Sequence, residues 1–140
     1  MAKLSTENSH ALGTQMKEKR FLEQIVAKND IVMSITPATK STAAASITGD
    51  RMVAIELKNA AGERLTNING SWTTTLSIAD TAAGTASIAS TTLTVVKGLA
   101  NVAITRTGTW SASNTNTLTV ANLTIMGITV TGGTSVETAT

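Results

Sequence analysis

From Ile31 onward the chain alternates with a period of two. Ile31, Met33 and Ile35 interleave with Val32, Ser34 and Thr36 until Pro37 ends the run. Val53, Ile55 and Leu57 face one way, while Ala54, Glu56 and Lys58 face the other, as in a half-buried strand. Asn59-Ala-Ala-Gly62 then breaks the pattern, which resumes as Trp72, Thr74, Leu76 and Ile78, so Met52–Ile78 reads as a hairpin or corner. Leu93–Val96 and Leu99–Thr105 predict two strands turning at Lys97-Gly98, and Leu118 with Val120 predicts another. Leu123–Val130 reads as the last strand. Its apolar phase slips by one at Met126-Gly127, which predicts a β-bulge. The spacer "ATKSTAAAS" after Pro37 has room for a short edge strand near Ala45–Thr48.

Residues 1–30 follow a different period. Met16, Phe21, Leu22, Ile25 and Val26 recur at helical spacings, predicting a helix over about 14–28 with Thr14 as its cap. About fifteen residues is marginal for a helix alone in water, so its apolar stripe needs a partner surface. Residues 1–13 show no periodicity and read as disordered unless held by a partner. The chain thus divides into an arm, 1–30, and a β-domain, 31–140.

Charge sharpens that boundary. The arm carries five bases and four acids in thirty residues, whereas the other 110 residues carry six bases, five acids and 25 Thr. β-Branched Thr suits a pleated sheet better than a helix. About seven short strands separated by Gly, Asn and Ser turns point to a mainly β protein, an antiparallel immunoglobulin-like β-sandwich preceded by the helical arm, with a small barrel as the second choice.

Candidate chemistry is sparse. With no Cys and one His, His10, the chain has no thiolate, no disulfide framework and no His-pair metal site. Asp50, Glu56, Glu63, Asp80 and Glu137 lack calcium-loop spacing and read as solvated loop acids. Phosphate-binding and nucleophile motifs are absent, so the expectation is a protein that is not an enzyme, with no catalytic residue, no metal and no cofactor. Net charge is only +2 and the aromatics are two Trp and one Phe, which excludes a nucleic-acid-binding signature. No run is apolar enough for a membrane span, and residues 1–20 lack a secretory apolar core. Trp72 lies on the apolar face of its strand and points to the core. Trp110, in "RTGTWSASNTN", suits the core or an interface equally.

Two segments carry a resemblance. "KRFLEQIVAKNDIVMSI", with its Lys28-Asn29-Asp30 junction into Ile31 and Val32, and "MVAIELKNAAGERLT", with its Ile55–Gly62 turn, resemble the opening of small tailed-phage virion proteins. The second segment is similar to bacterial immunoglobulin-like modules as well. Asn59 stands where the turn usually has Asp. The resemblance implies a structural component of a virion, assembled in the host cytoplasm, that decorates or cements the capsid surface and is anchored by its arm. Its implied partners are the major capsid protein and further copies of itself. The candidate partner-binding residues are Met16, Lys17, Lys19, Arg20, Phe21, Leu22 and Ile25 in the arm, and Trp110 in the domain. A tail or neck component is the rival placement, and a sugar-binding or adhesin module using Trp110 is the rival function.

Overall fold

The computed structural model describes residues 31–81 and 83–140. The expected helix over 14–28, with His10 and every candidate partner residue of the arm, lies outside the described residues. The described chain is mainly β. Its strands are β1 (Val32–Thr36), β2 (Thr39–Thr42), β3 (Gly49–Lys58), β4 (Gly70–Thr73), β5 (Leu76–Asp80) and β6 (Thr85–Ile88). They continue as β7 (Thr92–Val95), β8 (Leu99–Thr107), β9 (Thr115–Val120), β10 (Leu123–Ile125), β11 (Ile128–Val130) and β12 (Gly133–Ala139).

Two four-stranded sheets dominate, in the orders β1-β3-β8-β6 and β2-β12-β9-β5. Pairing is antiparallel except for β2, which lies parallel to β12. Pro37 marks the crossing: β1 belongs to the first sheet and β2, two residues after Pro37, to the second. Proline has no N–H to give a ladder, so a strand ends there readily.

The period-two pattern explains the core. Val53, Ile55 and Leu57 of β3, with Ala100 and Ile104 of β8, meet Leu76, Leu118 and Val120 from the other sheet in one buried cluster. The small β4–β7 and β10–β11 ladders add Leu93, Val95, Leu123, Ile125 and Val130 to it. Each such side chain, taken fully out of water, contributes about 1.5–3 kcal/mol.

Several expectations change. Met52–Ile78 is not a hairpin: β3 pairs with β1 and β8, β4 with β7, and β5 with β9. The segment turns a corner between sheets, with Asn59 holding the turn through its backbone and side-chain bonds to Glu63. The edge strand of the spacer lies at Thr39–Thr42, while Ala44–Ser46 form a short 3-10 turn. Met126-Gly127 is not a bulge. Both residues have positive φ, 51° and 78°, so they form a two-residue turn that pairs Ile125 with Ile128. A tight turn reverses the strand and thereby shifts the apparent phase, as a bulge does. The chain also continues past Val130 into β12, which runs between β2 and β9.

Lys97-Gly98 repeats the same turn chemistry, with φ of 50° and 73°, and shows how context changes its cost. A Cβ on Gly98 would lie 2.5 Å from the Leu65 carbonyl oxygen, whereas one on Gly127 would meet nothing within 4 Å. Gly127→Ala is therefore expected to lose about 1–2 kcal/mol from backbone conformation alone, and Gly98→Ala measurably more. Equal losses in urea denaturation would refute the steric account.

Candidate functional site

The inward phase of four strands does not stay apolar to the end. On β3 it runs Leu57, Ile55, Val53 and then Arg51; on β8 it passes from Ile104 to Arg106. On β9 Asn116 follows Val120 and Leu118, and on β12 the buried set is Ser135, Glu137 and Ala139. One end of the interior is therefore polar. Arg51, Arg106, Asn116, Ser135 and Glu137 are all buried, and Glu137, Asn116 and Ser135 are 0% exposed.

Strand register brings them together, since Glu137 lies opposite Asn116 on one side and Lys40 on the other. Glu137 Oε1 accepts from Arg106 Nη1 at 2.6 Å and from Thr42 Oγ1 at 2.6 Å. Oε2 accepts from Asn116 Nδ2 at 2.9 Å, with Arg51 Nε 3.3 Å away. Arg51 donates to Ser135 Oγ at 2.7 Å and to Asn116 Oδ1 at 2.9 Å. Arg106 donates to the Thr48 and Gly49 carbonyls at 2.8 and 3.1 Å, and Ser135 Oγ donates to the Pro37 carbonyl at 2.6 Å. The cluster thus ties β3, β8, β9 and β12 to β2 and to both ends of the 37–49 connection.

Two guanidiniums face one carboxylate. Lys40 adds a third cation, 4.0 Å from Glu137 Oε1 and partly in solvent. Burial raises the Glu137 pKa, but hydrogen bonds from Asn116, Thr42 and Arg106, with the Arg106 charge, outweigh it and hold the carboxyl below its ordinary value. Burial lowers the Arg51 pKa; Glu137 opposes that shift and Arg106 adds to it. Arg51 Nε has no hydrogen-bond partner and touches Glu137 only as a charge contact. Chemically, the arrangement holds strands together, because both carboxylate oxygens are engaged by buried donors.

The acids that the sequence suggested as solvated loop residues separate here. Glu137 is a buried strand residue, whereas Asp50 accepts from Thr105 Oγ1 and Asp80 from the Ala86 amide at exposed positions. Among the described residues no three His, Cys, Asp or Glu side chains come together as a metal site would need. Trp110 is buried, 5% exposed, against Ile47, Ala139 and Ala44. Its Nε1 donates to the Thr107 carbonyl, and a Cβ on Gly84 would overlap its ring. It offers no open ring face to a sugar or a partner. Trp72 is half-buried against the main core.

Sequence reasoning missed Arg51, Arg106, Asn116 and Ser135. The available signal was their phase, each two residues from an inward apolar position or from Glu137. Two clefts also lie among the described residues. One, of about 330 Å³, lies between Leu76, Ile88, Leu93 and the stretch Ala100–Ala103, whose outer edge pairs with no strand among the described residues. The other, of about 400 Å³, is lined by Ile31, Val32, Met33, Thr129, Thr131 and Gly132. No protein-family model and no curated protein sequence matches the chain.

Glu137→Gln would keep the shape and remove the only buried anion of the cluster. It is expected to lose about 3–5 kcal/mol, the range for breaking a buried ion pair from one side. Thr42→Val, which removes one hydrogen bond, is expected to lose about 1 kcal/mol. Equal losses would show that charge does not hold the cluster. Because the folded pKa of Glu137 is depressed, its contribution is complete above the unfolded value of about 4.3. The advantage of the parent over Glu137→Gln should therefore shrink only as pH falls below that value.

Proposed function

We propose that the chain is a structural component of a phage virion, an immunoglobulin-like domain that decorates or cements the capsid surface and attaches through residues 1–30. The observation that carries this reading is the strand order together with its entry. The orders β1-β3-β8-β6 and β2-β12-β9-β5, with the first strand run divided between the sheets at Pro37, suit an immunoglobulin-like sandwich. A charged thirty-residue segment leads into it through the Lys28-Asn29-Asp30 junction, which is where the likeness to tailed-phage virion proteins lies.

The physical character of the domain supports the same reading. Its buried ionic groups serve strand registry, and its outer positions on β9 and β12 are Thr115, Thr117, Thr119, Thr134, Val136 and Thr138, none of them charged. A domain built this way is suited to display in many copies, where weak individual contacts add through avidity. The major capsid protein is the expected anchor, through Met16, Lys17, Lys19, Arg20, Phe21, Leu22 and Ile25. The adhesin alternative needs an exposed aromatic at Trp110, and the buried ring gives it no support.

Mass spectrometry and imaging of purified virions test the assignment directly. The chain is expected on the capsid surface, and deletion of residues 1–30 is expected to abolish particle association. Association that survives the deletion rejects anchoring by the arm, and a location on the tail or neck rejects capsid decoration.

A further inference from the structure

The outermost strands of the two large sheets are β1 and β6 in one and β2 and β5 in the other. Lys40 stands on β2 and Asp80 on β5, and the Asp80 carboxylate accepts from the Ala86 amide of β6 at 2.8 Å. Charge at the edge of a sheet discourages a further strand from pairing there. β1 is the exception: Val-Met-Ser-Ile-Thr carries no charge, and Val32 is 48% exposed.

The hydrogen-bond phase shows which backbone groups of β1 face outward. The Leu57 amide donates to the Gly98 carbonyl, on the β8 side of β3. Alternation then turns Glu56 and Lys58 towards β1, where they stand opposite Ser34 and Val32. The N–H and C=O of Met33 and Ile35 therefore point away from β3, and no strand among the described residues pairs with them. The Met33 and Ile35 side chains pack against the core, so Val32, Ser34 and Thr36 share the outer face.

We propose that this edge pairs antiparallel with β1 of a second copy of the chain, about a two-fold axis through Ser34. That register sets Met33 opposite the second copy's Ile35 and Val32 opposite its Thr36. Every outward N–H and C=O of Met33 and Ile35 then has a partner, and the apolar inner face continues from one copy into the other. No other register does this. A slip of one residue sets outward groups against inward ones. A slip of two brings Pro37, which has no N–H, opposite Met33, or draws on Ile31 before the start of β1. The contact is isologous, so the same patch serves both copies. It belongs to the β-domain and does not rest on the virion assignment.

The two-fold axis makes the test specific to one residue. Ser34 would stand opposite its own copy at about 4.5 Å between Cα atoms, close enough for a disulfide. Thr36 would lie about 13 Å from its own copy, at the strand rise per residue, too far for one. The chain has no Cys, so Ser34→Cys and Thr36→Cys each carry a single thiol. Full-length parent and Ser34→Lys are compared by sedimentation velocity over a concentration series. The two Cys variants are oxidised mildly and read on a non-reducing gel, with circular dichroism verifying that every variant keeps its sheet signal. The parent is expected to pass from monomer to dimer as concentration rises. Ser34→Lys, which opposes two like charges across the axis, is expected to associate several-fold more weakly. Ser34→Cys is expected to form a covalent dimer and Thr36→Cys to remain monomeric. A parent that stays monomeric throughout overturns the proposal. So does association unaffected by Ser34→Lys, or Thr36→Cys that cross-links as readily as Ser34→Cys, because either outcome places the contact elsewhere.

Discussion

The position of Glu137 constrains the rest of this domain. It lies on a central strand, 0% exposed, where donors from β2, β8 and β9 and the Arg51 charge from β3 converge on it. An ionised carboxylate removed from water is costly unless its partners are already in place. The sheets must therefore close in one register, because a shift of one residue on any contributing strand would point its donor outward. The apolar core supplies most of the driving force, but Val, Ile and Leu tolerate several packings. The ionic end of the interior selects among them.

The same cluster accounts for β2. A four-residue parallel edge strand has little pairing energy of its own, and its outward residues bury little. Thr42 bonds to Glu137, the Pro37 carbonyl accepts from Ser135, and Arg106 takes the Thr48 and Gly49 carbonyls. Both ends of the connection are thereby anchored in the interior. Lys40, charged and partly solvated on the outermost strand, also discourages a further strand from adding there. With only eleven charged residues after position 30, this placement matters for solubility.

Sequence legibility followed the chemistry of the inward positions. β3 was legible because Val53, Ile55 and Leu57 alternate with polar neighbours, and Lys97-Gly98 announced its turn. β12 was not legible, because its inward set is Ser135, Glu137 and Ala139, which carries no apolar periodicity. β6 escaped for a related reason: Thr85-Ala86-Ser87 is small and polar, and its place is set by pairing with β8. The buried cluster was invisible for the deepest reason. A charged residue reads as surface until a partner on another strand is known, and the partners of Glu137 lie 21 to 95 residues away.

That failure bears on how the protein should be compared with others. An alternating apolar run such as Val53, Ile55 and Leu57 marks a half-buried strand in general and identifies no particular domain. The more specific feature is the set Arg51, Arg106, Asn116, Ser135 and Glu137 with Thr42, whose members must change together. Loss of Glu137 alone leaves two guanidiniums buried without an anion, whereas replacement of the whole set by apolar residues removes the desolvation cost along with the pairing. A relative that keeps the fold is therefore constrained to keep the complete set or to lose it as a unit. Intermediate combinations carry an unpaired buried charge, and the strand register that Glu137 enforces would be the first property to fail.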